Sequence, residues 1–404
     1  MVEIIKLLLV IVIIIILLRF KWDLGIVMFL ASVLLGLLFQ LGWEKMFNDI
    51  YLTITDPLTL QIIGIIIFVY LLSSILRRSK SLEAIIISLQ KIIKDYRLIV
   101  FFISSFLGLI PMPAGAMFSA PLLKEIGEKN SMNRDEIMFA NYWFRHVWEF
   151  IWPLMPGLIL YVSVVDIELR KVIVIQFPFT IIALGIGFFW MFSKLKAPAS
   201  HQVEQQKTNV YVLKFIKSIW SILLIIVLVI FFNLDLLIAL VIAVTMLLLF
   251  HRFDRTQLKD MILKDISFKV VFMIVGIFLF KQTLETTQAM NLIPQFFLGL
   301  GVNPWVIIFS VPFLLGFLTG VATGFVGISL PILMPLLVQG QELNISMLMF
   351  AFISGFTGMM FSPMHLCLTV TRDYFKVNMI SIYKKLFISL TSFMILSIIY
   401  IYLY

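Results

Sequence analysis

The feature that most constrains this chain is a series of apolar runs whose lengths cluster around the roughly 17–25 residues needed to cross a hydrocarbon layer as a helix. They fall near 2–18, 24–41, 58–76, 136–162, 168–192, 212–232, 235–250, 267–283, 346–370 and 380–403. In lipid a backbone must satisfy its own polar groups, so such runs fold as helices. Composition agrees: 62% of the 404 residues are apolar and 13% are charged, too little charge to clothe a soluble surface of this size. The expected fold class is an all-α polytopic membrane protein. The excess of Lys and Arg over Asp and Glu is read as orienting loops rather than as a nucleic-acid footprint. A single cysteine, Cys367, rules out a disulfide framework and a Cys-based cluster. Four histidines are too few for a metal cluster and HExxH is absent, so no metal is expected.

The N-terminal run is followed, not preceded, by its basic residues Arg19 and Lys21. That is the reverse of a secretory signal, so it is read as a retained first span with its N-terminus outside. A polar stretch, 193–211, has the composition of a linker between two halves, 1–192 and 212–404. Between the third span and the next long segment, Leu82, Ile85, Ile86, Leu89, Ile92 and Ile93 share one helical face, which predicts an interfacial helix over 81–95. A weaker counterpart containing Pro294 occupies 285–298.

Two segments are too long for one clean span and carry Gly and Pro at their middles: 97–127, broken by "IPMPAGAM", and 303–340, broken by "TGVATGFVGIS". They belong to a repeat. "DLGIVMFLASVLLGLLF" (23–39) resembles "DLLIALVIAVTMLLLF" (235–250), and "IGIIIFVYLL" (63–72) resembles "VGIFLFKQTL" (275–284). The two interrupted segments follow in the same order, then "FANYWFRHVWEFIWPLM" (139–155) faces "FAFISGFTGMMFSPMH" (350–365). If each interrupted segment is a hairpin that enters and leaves on one side, each half makes five crossings and the halves are inverted. About 25 basic residues then share the cytoplasmic side and about 5 the other, with Arg145 between; single crossings would divide them about equally. Both termini are expected outside the cell.

Irregular backbone at membrane depth is tolerated where it lines a wetted, protein-walled cavity. The hairpin tips, with Ala114 and Gly115 in the first and Thr323, Gly324, Gly327 and Ser329 in the second, are expected to do so. Proline within a helix frees a carbonyl one turn back, so Pro153 and Pro363 mark broken helices over 136–162 and 346–370. Paired breaks in inverted halves point to a mid-membrane binding site. On the first of these helices Asn141, Arg145 and Glu149 recur every four residues, with His146 beside Glu149. Ionised groups at that depth cost a few kcal/mol or more and usually face a pathway, although an Arg145–Glu149 ion pair stitching the break is the structural alternative. Asn141 and Arg145 are therefore candidate anion ligands. His146 and Glu149 are candidate coupling groups, joined by Ser354 and Thr357 of the second half. His365, Lys281 and Glu285 are expected near the membrane interfaces.

Five spans, an interfacial helix, a hairpin and a broken helix, repeated in inverted form, resemble the ion transporter superfamily. That group includes divalent-anion/sodium symporters, citrate and gluconate permeases, arsenite pumps and the large membrane subunits of tripartite periplasmic carriers. The runs "IPMPAGAMFSAPLL" and "ANYWFRHVWEFIWPLMPG" are similar to an uncharacterised prokaryotic branch, a family of unknown function. The resemblance implies an elevator-type fold, often a homodimer, in which hairpins and broken helices move against a scaffold. The Ser-Asn-Thr triplets of the sodium/dicarboxylate branch are absent from both tips here. The expected function is secondary active transport of a small organic anion across a prokaryotic inner membrane, coupled to H+ or Na+, without other cofactor and without enzymatic activity. The alternatives are a subunit of a binding-protein-dependent carrier, an efflux permease, and an intramembrane enzyme using His146 and Glu149 as acid and base.

Overall fold

The computed structural model describes residues 2–110, 115–194, 208–292, 296, 299–339 and 342–404. The first half contains α1 (Val2–Arg19), α2 (Leu24–Leu38), α3 (Trp43–Thr55), α4 (Pro57–Arg78) and α5 (Ser81–Ile92). It continues through α6 (Tyr96–Gly108), α7 (Ala116–Lys129), α8 (Arg134–His146), α9 (Pro156–Val165) and α10 (Leu169–Lys194). The second half holds α11 (Thr208–Ile226, extended by a π-helical turn to Phe231), α12 (Leu236–His251), α13 (Arg255–Asp260) and α14 (Phe268–Thr286). These are followed by α15 (Pro304–Thr319), α16 (Ala322–Leu337), α17 (Ile345–Phe361), α18 (Leu366–Phe375) and α19 (Met379–Leu403). A two-rung antiparallel ladder pairs Val338–Gln339 with Glu342–Leu343. Among the described residues five stretches are long and apolar enough to cross a membrane, from Pro57–Arg78 to Met379–Leu403, and six shorter apolar helices accompany them. The chain is an all-α, multi-pass membrane protein.

Short polar side chains start the helices by accepting from otherwise unpaired backbone N–H groups. Asp23 accepts from Gly25 at α2, and Asp235 accepts from Leu237 and Ile238 at α12. Asn133 and Asn344 cap α8 and α17 in the same way. The order of elements is the same in both halves, and so are its unusual backbone positions. Left-handed residues occur at Lys21 and Asn233, Gln40 and Arg252, Lys80 and Gln288, and Asp166 and Lys376. A left-handed conformation is uncommon outside glycine, so its recurrence at matched positions is independent of the apolar resemblance between the halves.

Contacts recur in pairs as well. Helix α2 crosses α14 where a Cβ on Gly276 would lie 2.8 Å from the carbonyl oxygen of Gly25. The matching pair is α4 on α12, where a Cβ on Gly64 would lie 3.1 Å from Leu237. Helix α6 bites α8 at Gly108, whose Cβ would fall 2.4 Å from the Arg145 carbonyl, and α15 bites α17 at Gly316, 2.2 Å from that of Gly355. The second arm of each hairpin then packs on the far piece of the other half's broken helix, α16 on α9 and α7 on α18.

Three expectations change. The linker is shorter than 193–211 at both ends, because α10 runs through Lys194 and α11 starts at Thr208; residues 195–207 lie outside the described set. Helices α3 and α13 were not anticipated. In α3 the exposed Trp43, Phe47, Tyr51 and Ile54 form one stripe while Asp49 and Thr53 turn inward, a pattern too short for a span and suited to an interface. The counterpart of the interfacial helix over 285–298 lies partly outside the described residues; within them α14 ends at Thr286 and a 3-10 turn spans Ala289–Asn291.

Candidate functional site

Both broken helices restart alike. Trp152-Pro153-Leu154-Met155 leads into α9 at Pro156, and Ser362-Pro363-Met364-His365 leads into α18 at Leu366, each through a turn at the proline pair. Each break also donates a side-chain hydrogen bond to a matched carbonyl at the end of the neighbouring hairpin's first arm. Trp152 Nε1 donates to Leu109 O at 2.7 Å, and Ser362 Oγ donates to Phe317 O at 2.5 Å. Tyr142, buried in α8, donates its hydroxyl to Met360 O at 3.0 Å and ties the two breaks together. The second tip turns at Gly320, where φ is 64° and a Cβ would sit 2.7 Å from the backbone nitrogen of His365; both facts require glycine.

A cavity of about 230 Å³ lies where these parts meet. Arg145, His146 and Glu149 come from the first broken helix, His365 and Cys367 from the second, and Val321, Ala322 and Thr323 from the second tip. Tyr70, Gly108 and Gly157 complete much of the wall. Val321 is 42% exposed, so the cavity reaches the surface. A larger cavity of about 620 Å³, between Trp305, Phe309, Phe350 and Tyr402, is almost wholly apolar and carries no comparable set of polar groups.

Arg145 is 6% exposed, and its Nη1 is buried without a hydrogen-bond partner among the described residues. No ion pair joins it to Glu149 among those residues. The stitching alternative is therefore not what the geometry holds. An unpaired buried donor on a charged group costs upwards of about 1–3 kcal/mol, so this one is an open valence for an anion.

Cross-repeat chemistry is concentrated at the histidines. His146 Nδ1 lies 2.6 Å from Tyr142 O and His365 Nδ1 lies 2.5 Å from Gly320 O. A carbonyl only accepts, so both Nδ1 atoms carry the proton in these contacts. Each Nε2 is left to face the other at 3.0 Å. The ligand atoms of His146, His365 and Cys367 all lie within 4.8 Å of one another.

A family described as a protein of unknown function, DUF401, matches residues 2–403. The chain belongs to this family. No curated protein matches it.

In this DUF401 chain the sequence-predicted residues divide. Arg145, His146, Glu149 and Thr323 line the cavity. Asn141 does not: its side-chain oxygen accepts from Ser119 Oγ at 2.6 Å and its amide donates to Ala116 O at 3.3 Å, so it clamps α7 to α8. Gly115 is the N-cap of α7, and Ala114 lies outside the described residues. Gly324 packs on Thr319 and Gly327 on Ile277, where a Cβ would meet each neighbour closer than 3 Å. Ser329, Ser354 and Thr357 donate to Phe325 O, Phe350 O and Ile353 O within their own helices, so their hydroxyls are already occupied. Pro153 and Pro363 sit in the breaks as expected. Lys281 donates to Val164 O at 3.3 Å, and Glu285 lines a separate cavity with Asp56 and Pro57 at the helix ends. His365 is not near an interface: it is buried at the centre of the site. Cys367, noted only as the single cysteine, was not expected in the site. The available signal was alignment on Pro153 and Pro363, which sets His365 and Cys367 against Met155 and Gly157, the two residues that follow the other break into the same cavity.

Proposed function

We propose that this protein is a secondary active transporter of a small organic anion, with the cavity around Arg145 as its binding site. The observation that carries this is a buried guanidinium whose Nη1 has no partner among the described residues, set where two helix breaks and a hairpin tip converge. A guanidinium presents a planar fork to a carboxylate or similar oxyanion. Interrupted helices paired across two inverted halves are the usual setting for such a site in secondary transporters.

Inversion of the halves is supported by the loops that touch. The C-terminal end of α4 meets the segment just before α14 through Arg77 and Arg78 on Asp265, both at 2.8 Å. The N-terminal end of α4 lines one cavity with Lys281, Gln282 and Glu285 at the far end of α14. The two helices, which occupy the same place in their halves, thus run antiparallel. Lys385 near the start of α19, on Glu136 near the start of α8 at 2.6 Å, joins two further helix ends assigned to the cytoplasmic side. On this reading the protein lies in a prokaryotic inner membrane with both termini outside, and the hairpins and breaks form the moving unit of an elevator, within a homodimer. Coupling falls to Glu149 and the histidine pair if H+ is used, or to break and tip carbonyls if Na+ is used.

The test is uptake of small carboxylates into proteoliposomes, with and without an imposed H+ or Na+ gradient. Arg145→Ala is expected to lower uptake by about 10- to 100-fold, the equivalent of losing a charge-assisted contact of about 1.5–3 kcal/mol. Glu149→Gln is expected to alter the gradient dependence. Wild-type rates in both variants would overturn the assignment. Turnover of a lipid-linked substrate in detergent, with no gradient, would favour an enzyme instead.

A further inference from the structure

We propose that His146 Nε2, His365 Nε2 and Cys367 Sγ bind one transition-metal ion of the zinc class, linking the two broken helices. Hydrogen-bond direction fixes how both rings are aimed. Each imidazole donates Nδ1–H to a backbone carbonyl of a different element, His146 to Tyr142 and His365 to Gly320. That is the usual outer-shell arrangement of a ligating histidine, because it fixes the tautomer, aims the ring and raises the basicity of the other nitrogen. The two Nε2 lone pairs are thereby directed at each other across 3.0 Å. Two lone pairs at that distance repel unless a cation lies between or beside them.

Metal geometry fits. Zinc bonds of about 2.0–2.1 Å to nitrogen set at a tetrahedral angle place two nitrogens about 3.3 Å apart, whereas a linear two-coordinate ion would hold them about 4 Å apart. The observed separation agrees with the tetrahedral case to within a few tenths of an ångström. Cys367 Sγ, within 4.8 Å of both nitrogens, needs a small closure to complete three ligands. Mixed imidazole and thiolate donors select zinc-like ions over Mg2+ or Ca2+. The fourth position opens on the cavity, which Glu149 and Arg145 also line. A thiolate at Cys367 offsets part of the added positive charge beside the guanidinium. The proposal rests on the cluster's geometry and is independent of what is transported.

The chain holds one cysteine, so alkylation of Cys367 in the detergent-solubilised wild-type protein reads the site directly. After treatment with EDTA, one equivalent of Zn2+ is expected to slow alkylation by maleimide at least tenfold, Mg2+ to have no effect, and EDTA to restore the rate. Co2+ is expected to give a thiolate-to-cobalt charge-transfer band that Zn2+ abolishes and that Cys367→Ser lacks. His146→Gln with His365→Gln should weaken Co2+ binding by more than the roughly 10- to 100-fold that an outer-shell partner contributes. Alkylation indifferent to Zn2+, with no charge-transfer band in the wild type, would overturn the site and leave the two imidazoles sharing a proton. Protection by Mg2+ as well, or undiminished in the double variant, would also overturn it. Metal binding is read by alkylation and the charge-transfer band rather than by uptake, so either reading can fail while the other stands.

Discussion

The two broken helices share a frame and differ in everything that could do chemistry. Both are bitten by a hairpin at a glycine, Gly108 on Arg145 and Gly316 on Gly355. Both donate to a matched hairpin carbonyl, and both restart after the same proline turn. Yet the first unwinds early. Helix α8 ends at His146 and the chain then runs through turns over 147–151, whereas α17 stays helical to Phe361. The unwound stretch holds Glu149, and Arg145 sits just ahead of it. The second break keeps its polar groups, His365 and Cys367, after the proline. Backbone symmetry brings the two breaks together, and side-chain asymmetry makes one site out of them.

The largest effect should separate those two roles. Arg145→Gln is expected to abolish stabilisation by a bound anion, about 2.7 kcal/mol at one hundred times Kd, in a thermal-shift titration with small carboxylates. Ser354→Ala and Thr357→Ala in the other half should keep it, since their hydroxyls serve their own helix. Equal losses from all three would mean that the chemistry is shared rather than one-sided.

The shared frame can be broken next. Gly108→Val and Gly316→Val each force a side chain onto a backbone carbonyl, and each should destabilise by about 1–3 kcal/mol or more in denaturation of the detergent-solubilised protein. Unequal costs would show that one hairpin is free to give way. A smaller pair follows. Trp152→Phe and Ser362→Ala each delete one donor to a hairpin carbonyl and should cost about 0.5–1.5 kcal/mol apiece, checked by melting temperature.

The smallest effect lies at the surface, between α4 and α14. Burial raises the Asp265 carboxyl, but hydrogen bonds from Ser74 and Arg78 and the charges of Arg77 and Arg78 outweigh it and hold it below the usual carboxylate range. A depressed folded-state pKa adds stability above the unfolded value, near 3.9, and that stability is lost as pH falls further. Asp265→Asn should therefore lower stability by at most about 1 kcal/mol at neutral pH, given the partly exposed arginines, and the difference should vanish in acid. A difference that did not shrink at all as pH fell through the acid range would point to packing instead.

Much of the frame was legible because lipid leaves a backbone few options. Runs of apolar residues had to be helices, and the prolines at Pro153 and Pro363 had to interrupt them. The matched stretches place Gly64 against Gly276 and Gly108 against Gly316, and all four glycines sit at close helix contacts. Arg145 was visible because charge is conspicuous in an apolar run. Asn141 misled because its helical register matched that of Arg145, while its partner, Ser119, is on another helix. Helix α3 was missed because three of the four residues in its apolar stripe are aromatic and the stripe is interspersed with charge, which lowers its apparent hydropathy.

Local sequence thus determined class, helix positions and breaks, since each follows from hydration cost and backbone hydrogen bonding within a few turns. Only tertiary structure decided which polar groups meet. His146 and His365 stand 219 residues apart in the chain and 3.0 Å apart in space. No periodicity encodes that distance, because it depends on how two interrupted helices from different halves cross and where two backbone carbonyls turn their rings.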